Sequence, residues 1–383
     1  MAGTSLVVWG RILTNGQELP ASRIQVVDGL VVRIQPGPRP TEVDIAVDSG
    51  WIAPGLIDLQ VNGAAGVDLT STRHPGEAVR AVARALAEHG VTGFCPTVVS
   101  SPQAVILERL PAYRPGQLNG GAESLGCHVE GPFINPDHRG VHDPKMLRYP
   151  SSAEVEAWLA AGPPRIVTLA PELPGALEAI ARFAGAGVVV SLGHSGADAA
   201  EARAGLEAGA RMATHVFNGM PPLHHRQPGL VGALVCSSAT LGTIADGVHL
   251  DPLIVELLVR AAGTRRVALV SDALAASGMP PGRAVLGDQT IVSDGRSVRR
   301  TDGTLAGSAL LLDGCLRNAR DWLDWLPLAE VIRMATQTPA DLLGLRRKGR
   351  VAVGCDADLV ILDTDWRVQA CVVRGSVVQP KRD

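Results

Sequence analysis

The chain has 383 residues, a formal net charge of −3, 46% hydrophobic and 19% charged residues, which is the composition of a folded enzyme with room for one large domain and a smaller attachment. With no basic run and no apolar stretch long enough for a bilayer, neither nucleic acid nor a membrane is an expected partner. Six scattered cysteines without a C-x-x-C pair read as buried thiols, and the apolar start at 6–9, broken by Arg11, is too short for a signal peptide, so a cytoplasmic location is expected.

Residues 5–9 and 24–27 are apolar strand patterns; Asp28-Gly29 is a hairpin turn, and 31–34 continues beyond it. Over 77–89, Val79, Val82, Ala83 and Leu86 recur at helical spacing, and Gly90 stops the helix. A strand over 91–98 follows. Next come a strand at 165–169, a helix at 175–183, a strand at 188–192, a helix at 197–208 and strands at 212–216 and 242–245. A helix at 252–262 and a strand at 266–270 complete the series. Residues 357–362, 368–373 and 376–378, with a turn at Arg374-Gly375, return to the β-rich character of the start. Repeated strand–helix units imply a parallel sheet. Their number fits a closed (β/α)8 TIM-like barrel better than an open doubly wound sheet, for which the Gly-rich dinucleotide fingerprint is missing. The expected fold class is therefore α/β. The barrel is expected over 54–345, with 1–53 joining 346–383 in a small β-sandwich domain.

A barrel of this kind forms its active site at the C-terminal ends of its strands. Several strand patterns end there in metal- or proton-binding residues: 125–129 runs into Glu130, 188–192 into Gly193-His194, and 212–214 into His215. Likewise 242–245 precedes Asp246 to His249, and 266–271 ends in Asp272. Singly, each has a bland reading. A strand-end His is more often a surface or core residue than a ligand, and Asp272 could cap a helix. Jointly they offer one carboxylate and two imidazoles from three strands, plus an aspartate on a later strand. That is a three-ligand divalent metal site with an open position and a nearby base.

Several segments resemble one family. Residues 54–63, PGLIDLQVNG, are similar to the first barrel strand of the amidohydrolase superfamily. HVEGPFIN at 128–135, Gly193-His194-Ser195, THVFNGM at 214–220, IADGVH at 244–249, Val270-Ser271-Asp272-Ala273 and Leu305-Ala306-Gly307-Ser308 resemble N-acetylglucosamine-6-phosphate deacetylases, in that family's order. The ending from Gly349 to Leu359 is similar to the common amidohydrolase C-terminus. The resemblance implies that Glu130, His194 and His215 bind metal, that Asp272 is the catalytic acid/base, and that His142 contacts substrate and polarises the amide. It further implies that Asn218, Gly219, Arg226, His249, Leu305, Ala306 and Gly307 form the substrate site, with Arg226 and His249 near the sugar phosphate. In relatives the arginine can come from the neighbouring subunit, which implies a homodimer.

One departure stands out. Where many amidohydrolases have His-x-His, this chain has Gln60-Val61-Asn62. Neutral amides are weak ligands beside imidazole, so the resemblance points to the single-metal branch: one divalent ion per subunit, zinc first among zinc, iron, manganese and cobalt. His128, two residues before Glu130, is expected to point to the opposite face of the strand and to support the site without binding the ion. The implied activity is hydrolysis of the N-acetyl amide of N-acetylglucosamine 6-phosphate. The alternatives are the same chemistry on N-acetylgalactosamine 6-phosphate or another N-acetylated amino sugar, and a non-catalytic scaffold of amidohydrolase fold.

Overall fold

The computed structural model describes residues 5–287 and 289–380. Its central body is a barrel of eight parallel strands: β1 Leu56–Val61, β2 Val91–Val99, β3 His128–Glu130, β4 Ile166–Leu169, β5 Val189–Leu192, β6 Met212–Ala213, β7 Thr240–Thr243 and β8 Val267–Leu269. The helices that follow them are α1 Pro75–Glu88, α2 Gln103–Ala112, α3 Ser152–Ala161, α4 Ala176–Gly185, α5 Ala199–Glu207, α6 Gly229–Val235, α7 Pro252–Ala262 and α8 Leu312–Trp322. Neighbouring strands pair in parallel from β1 to β8, with register shifts between β1 and β2. Closure comes just past β8, where Ala273 bridges Val61 and its carbonyl accepts from the Asn62 amide at 2.8 Å.

The local chemistry explains these elements. In α1 the buried residues Ala78, Val79, Val82, Ala83, Leu86 and Ala87 form one face, as the apolar spacing requires. Asp198 and Glu201 complete a capping box that starts α5. The strand expected at 212–216 is only Met212–Ala213, because His215 takes a left-handed φ of 26° and turns the chain out of the sheet.

The interior of the barrel is layered. Ile57, Leu59, Cys95, Leu125, Ile166, Val189, Met212, Ile244, Ala268 and Val270 fill its floor. Above them runs a polar belt: Ser191 Oγ lies 2.6 Å from Thr214 Oγ1, Thr214 Oγ1 2.6 Å from Thr168 Oγ1, and Thr168 Oγ1 2.8 Å from His128 Nε2. His128 gives its Nδ1 proton to the Leu59 carbonyl, and burial pushes its pKa down to about 4. Its Nε2 is therefore an acceptor, and the hydroxyls donate in one direction toward it. His128 is thus a supporting residue inside the barrel, on the same strand face as Glu130 and not the opposite one, because residues two apart in a strand share a face.

Strands from both ends of the chain join in one eight-stranded sheet, in which Trp51–Pro54 pairs with Leu359–Leu362. The sheet curls over its own core of Leu6, Val8, Ile12, Ile24, Ile52, Leu359 and Val372, and Val31 donates to the Cys355 carbonyl across the closure. Lys348 ties this layer to the barrel, with Nζ 2.7 Å from both Glu123 and Asp358.

A further element was not legible as such. Gly282–Leu286, Gln289–Ser293, Ser297–Arg300 and Leu305–Ser308 form a four-stranded antiparallel sheet between β8 and α8. The signal was present in Asp294-Gly295 and Asp302-Gly303, two hairpin-turn dipeptides set between short alternating runs.

Candidate active site

Glu130 is the last residue of β3, His194 follows β5 and His215 follows β6. Their ligand atoms meet at the rim. Glu130 Oε1 lies 3.3 Å from His194 Nε2 and 3.0 Å from His215 Nε2, and the two imidazole nitrogens are 3.1 Å apart. All three residues are buried, and among the described residues they are the one group of His, Cys, Asp or Glu with metal-ligand spacing. His194, His215 and Asp272 all carry positive φ (49°, 26° and 50°), a conformation non-glycine residues adopt sparingly and one that recurs at functional sites.

The donors fit a divalent cation. His194 gives its Nδ1 proton to the His138 carbonyl at 2.9 Å, which leaves the Nε2 lone pair facing the cluster. Burial would raise the Glu130 pKa, but the adjoining His194 and His215 imidazoles outweigh it and hold the carboxyl well below its ordinary value. One ionised carboxylate and two inward-facing imidazoles form the three-protein-ligand set of catalytic zinc sites.

Gly219 shows how closely the loop after β6 packs on this cluster. Its φ is +62°, and an added Cβ would lie 2.8 Å from His194 Nδ1 and 3.1 Å from the His138 carbonyl. Any side chain there would strain the backbone and displace His194.

Asp272 faces the cluster from the end of β8. Burial pushes its pKa well above the usual carboxylate range, and the charge of Glu130 adds to the effect. Two first-strand amides hold it: Gln60 Nε2 donates to Asp272 Oδ1 and to Glu130 Oε1, each at 2.9 Å, and Asn62 Nδ2 donates to Asp272 Oδ1 at 2.7 Å. Asp58, one strand pleat below, accepts from the Ser271 hydroxyl at 2.5 Å and its amide at 3.2 Å, which anchors the turn carrying Asp272.

His142 reaches the same space from the loop after β3, with Nε2 4.0 Å from Glu130 Oε2. Its Nδ1 accepts from the Ser100 backbone amide at 3.3 Å and lies 2.7 Å from Ser100 Oγ. A backbone N–H can only donate, so the neutral ring carries its proton on Nε2, aimed into the site. Burial pushes its pKa down to about 3, which keeps the ring neutral.

These groups line one cavity of about 180 Å³. Of the residues implied by the resemblance, Glu130, His142, His194, His215, Asn218, Gly219, His249, Asp272, Leu305 and Ala306 line it. Two do not. Arg226 is exposed in the loop before α6, and Gly307 packs beneath, where an added Cβ would come within 2.8 Å of the Asp272 carbonyl. His249 is fixed by Asp246, whose Oδ2 lies 2.7 Å from its Nδ1. Ser100, Asp246, Leu286 and Thr304 also line or support the site, although no sequence motif gave them a role there. Asp246 had a local signal in its spacing to His249; Ser100 had none.

Residues 51–379 match the model of the amidohydrolase family. The chain belongs to the amidohydrolase family. This is a metal-dependent family, and the Glu130–His194–His215 cluster is the site this chain presents. Among its relatives, N-acetylglucosamine-6-phosphate deacetylase from Homo sapiens is 40% identical over 344 residues, 85% of this chain and 83% of that one. N-acetylgalactosamine-6-phosphate deacetylase from Escherichia coli O157:H7 is 37% identical over 375 residues, covering 96% of this chain and 97% of that one. Among solved structures, an Asp-to-Ala mutant of the Mycobacterium smegmatis N-acetyl-D-glucosamine-6-phosphate deacetylase, in complex with N-acetyl-D-glucosamine-6-phosphate, superposes with a TM-score of 0.89 at 32% identity. That match covers 98% of this chain and 99% of the other. No helix among the described residues is long and apolar enough to cross a membrane.

Proposed function

We propose that this chain hydrolyses the N-acetyl amide of N-acetylglucosamine 6-phosphate, giving acetate and glucosamine 6-phosphate. The observation that carries the reading is the Glu130–His194–His215 donor cluster with Asp272 and His142 around one cavity. It stands in a chain 40% identical to the human protein of that name. A divalent cation held by the three donors supplies a Lewis acid that acidifies water and polarises the acyl oxygen.

The chain's own residues do the rest. Asp272 takes a proton from the attacking water while the water oxygen bonds to the acyl carbon. The His142 Nε2–H hydrogen-bonds to the acyl oxygen as negative charge gathers there and keeps its proton throughout. Asp272 then passes its proton to the amide nitrogen as the C–N bond breaks, so the water oxygen leaves in acetate and the nitrogen leaves as an amine. Gln60 and Asn62 hold the Asp272 carboxylate in place for both transfers.

Zinc is our assignment for the cation, on the strength of the donor set. Arg226 is our assignment for a phosphate contact, because guanidinium pairs bidentately with phosphate oxygens. Its exposure, outside its own cavity, supports supply to the site of a neighbouring subunit in a homodimer. The division into 54–345 and a small domain of 1–53 with 346–383, and a cytoplasmic location suited to six free cysteines, belong to the same reading. The galactosamine epimer keeps one observation on its side, since the Escherichia coli relative matches along 96% of this chain.

Acetate release decides among these. We expect N-acetylglucosamine 6-phosphate to be hydrolysed faster than its galactosamine epimer and far faster than unphosphorylated N-acetylglucosamine. Release from the epimer alone would transfer the chemistry to that sugar, and no release from any of the three by metal-loaded protein would reject the reading.

A further inference from the structure

A second cavity, about 270 Å³, adjoins the first. Val99, Val141, His142 and Leu286 line both, so these side chains are the partition between them. The three aliphatic ones are 9%, 8% and 4% exposed and belong to one hydrophobic cluster with Leu274, Ile291, Val298 and Ala306. Beyond the partition the space is walled by Pro102, Val105 and Met146 and edged by hydroxyls, with Asp143 the one charged side chain among the described residues.

The reaction proposed above makes no use of this space. A sugar phosphate would find no cation there among the described residues, and product acetate would have to pass an aliphatic wall that offers its charge no partner. The wall does suit an acyl chain. His142 stands in the partition and points its Nε2–H at the acyl oxygen, so the acyl carbon lies against that partition. The acyl methyl, one bond from that carbon and without hydrogen-bonding capacity, then falls among the aliphatic neighbours of His142.

We infer that Val99, Val141 and Leu286 form the acyl wall of the active site, restricting it to the two-carbon acetyl group, and that the cavity behind them is a latent subsite for longer linear N-acyl chains. The inference rests on the deacetylase reading. It names Leu286 as a specificity determinant supplied by the antiparallel sheet between β8 and α8. The cavity of about 270 Å³ compares with roughly 30 Å³ for one water in the liquid, so several methylenes fit.

The test uses the full-length, metal-loaded enzyme and its Leu286→Ala variant, with N-acetyl- and N-butyryl-glucosamine 6-phosphate side by side. Opening the wall is expected to raise the butyryl-to-acetyl ratio of kcat/KM by roughly tenfold, the effect of burying two methylenes. Val105→Phe in the Leu286→Ala background refills the cavity and should return the ratio to its wild-type value. Val99→Ala opens the same wall and replaces Leu286→Ala if thermal melting shows that variant unfolded. An unmoved ratio in a folded opened variant, or a rise that Val105→Phe leaves in place, overturns the acyl wall while leaving deacetylation intact. A wild-type enzyme that releases neither acid sinks the deacetylase reading, and the wall with it.

Discussion

The two sides of the barrel rim are built from similar material to different ends. On one side β3, β5 and β6 deliver a carboxylate and two imidazoles whose ligand atoms lie within 4.8 Å of one another. On the other, β1 and β8 deliver two neutral amides and one carboxylate, joined by hydrogen bonds of 2.7 and 2.9 Å. An imidazole presents a lone pair to a cation and a carboxylate offsets its charge. An amide NH2 has only protons to give. On the proposed function the β1 side supplies a base and the β3–β6 side the donors for an ion, with Gln60 bonded to a carboxylate of each.

Asp272→Asn probes the division with the largest effect. The variant should lose about 10²- to 10⁴-fold in turnover, the usual reach of a general acid/base, while binding its ion as the wild type does. If the ion is lost as well, Asp272 is a ligand and the two sides are one site. Gln60→Ala removes the group that spans them. An activity loss of about 10- to 100-fold is expected, the range for outer groups that orient ligands, with weaker metal retention on dialysis. Unchanged kinetics and retention would mean that the two sides need no link. Ser100→Ala should be the mildest, a fall of about fivefold in kcat, the worth of one neutral hydrogen bond. The Ser100 amide still holds the His142 tautomer in that variant. A loss approaching that of Asp272→Asn would show that the hydroxyl, not the amide, sets the proton.

The ion side of the rim was legible in the sequence because its information is local. Glu130, His194 and His215 each sit at or just after an apolar run, and the barrel rule places such positions together. The alternation of strands and helices was legible for the same reason. The other side was less so. Gln60 and Asp272 are 212 residues apart, and their bond depends on closure between β1 and the turn after β8, which no local pattern states. The Ser100–His142 pair spans 42 residues and joins two loops. The strand expected at 242–245 is Thr240–Thr243, since an apolar run sets a strand's presence more firmly than its ends. The sheet over 282–308 was missed because its strands carry many exposed polar residues, and only the turn dipeptides betray it.

The metal content of the purified wild-type chain, measured by elemental analysis against protein concentration, tests the division of the rim most directly. One divalent ion per chain is the predicted result, held by Glu130, His194 and His215. Two tightly held ions would contradict the reading of Gln60 and Asn62 as hydrogen-bond donors to a base, and a chain that takes up no divalent ion even when supplied would contradict the metal site itself.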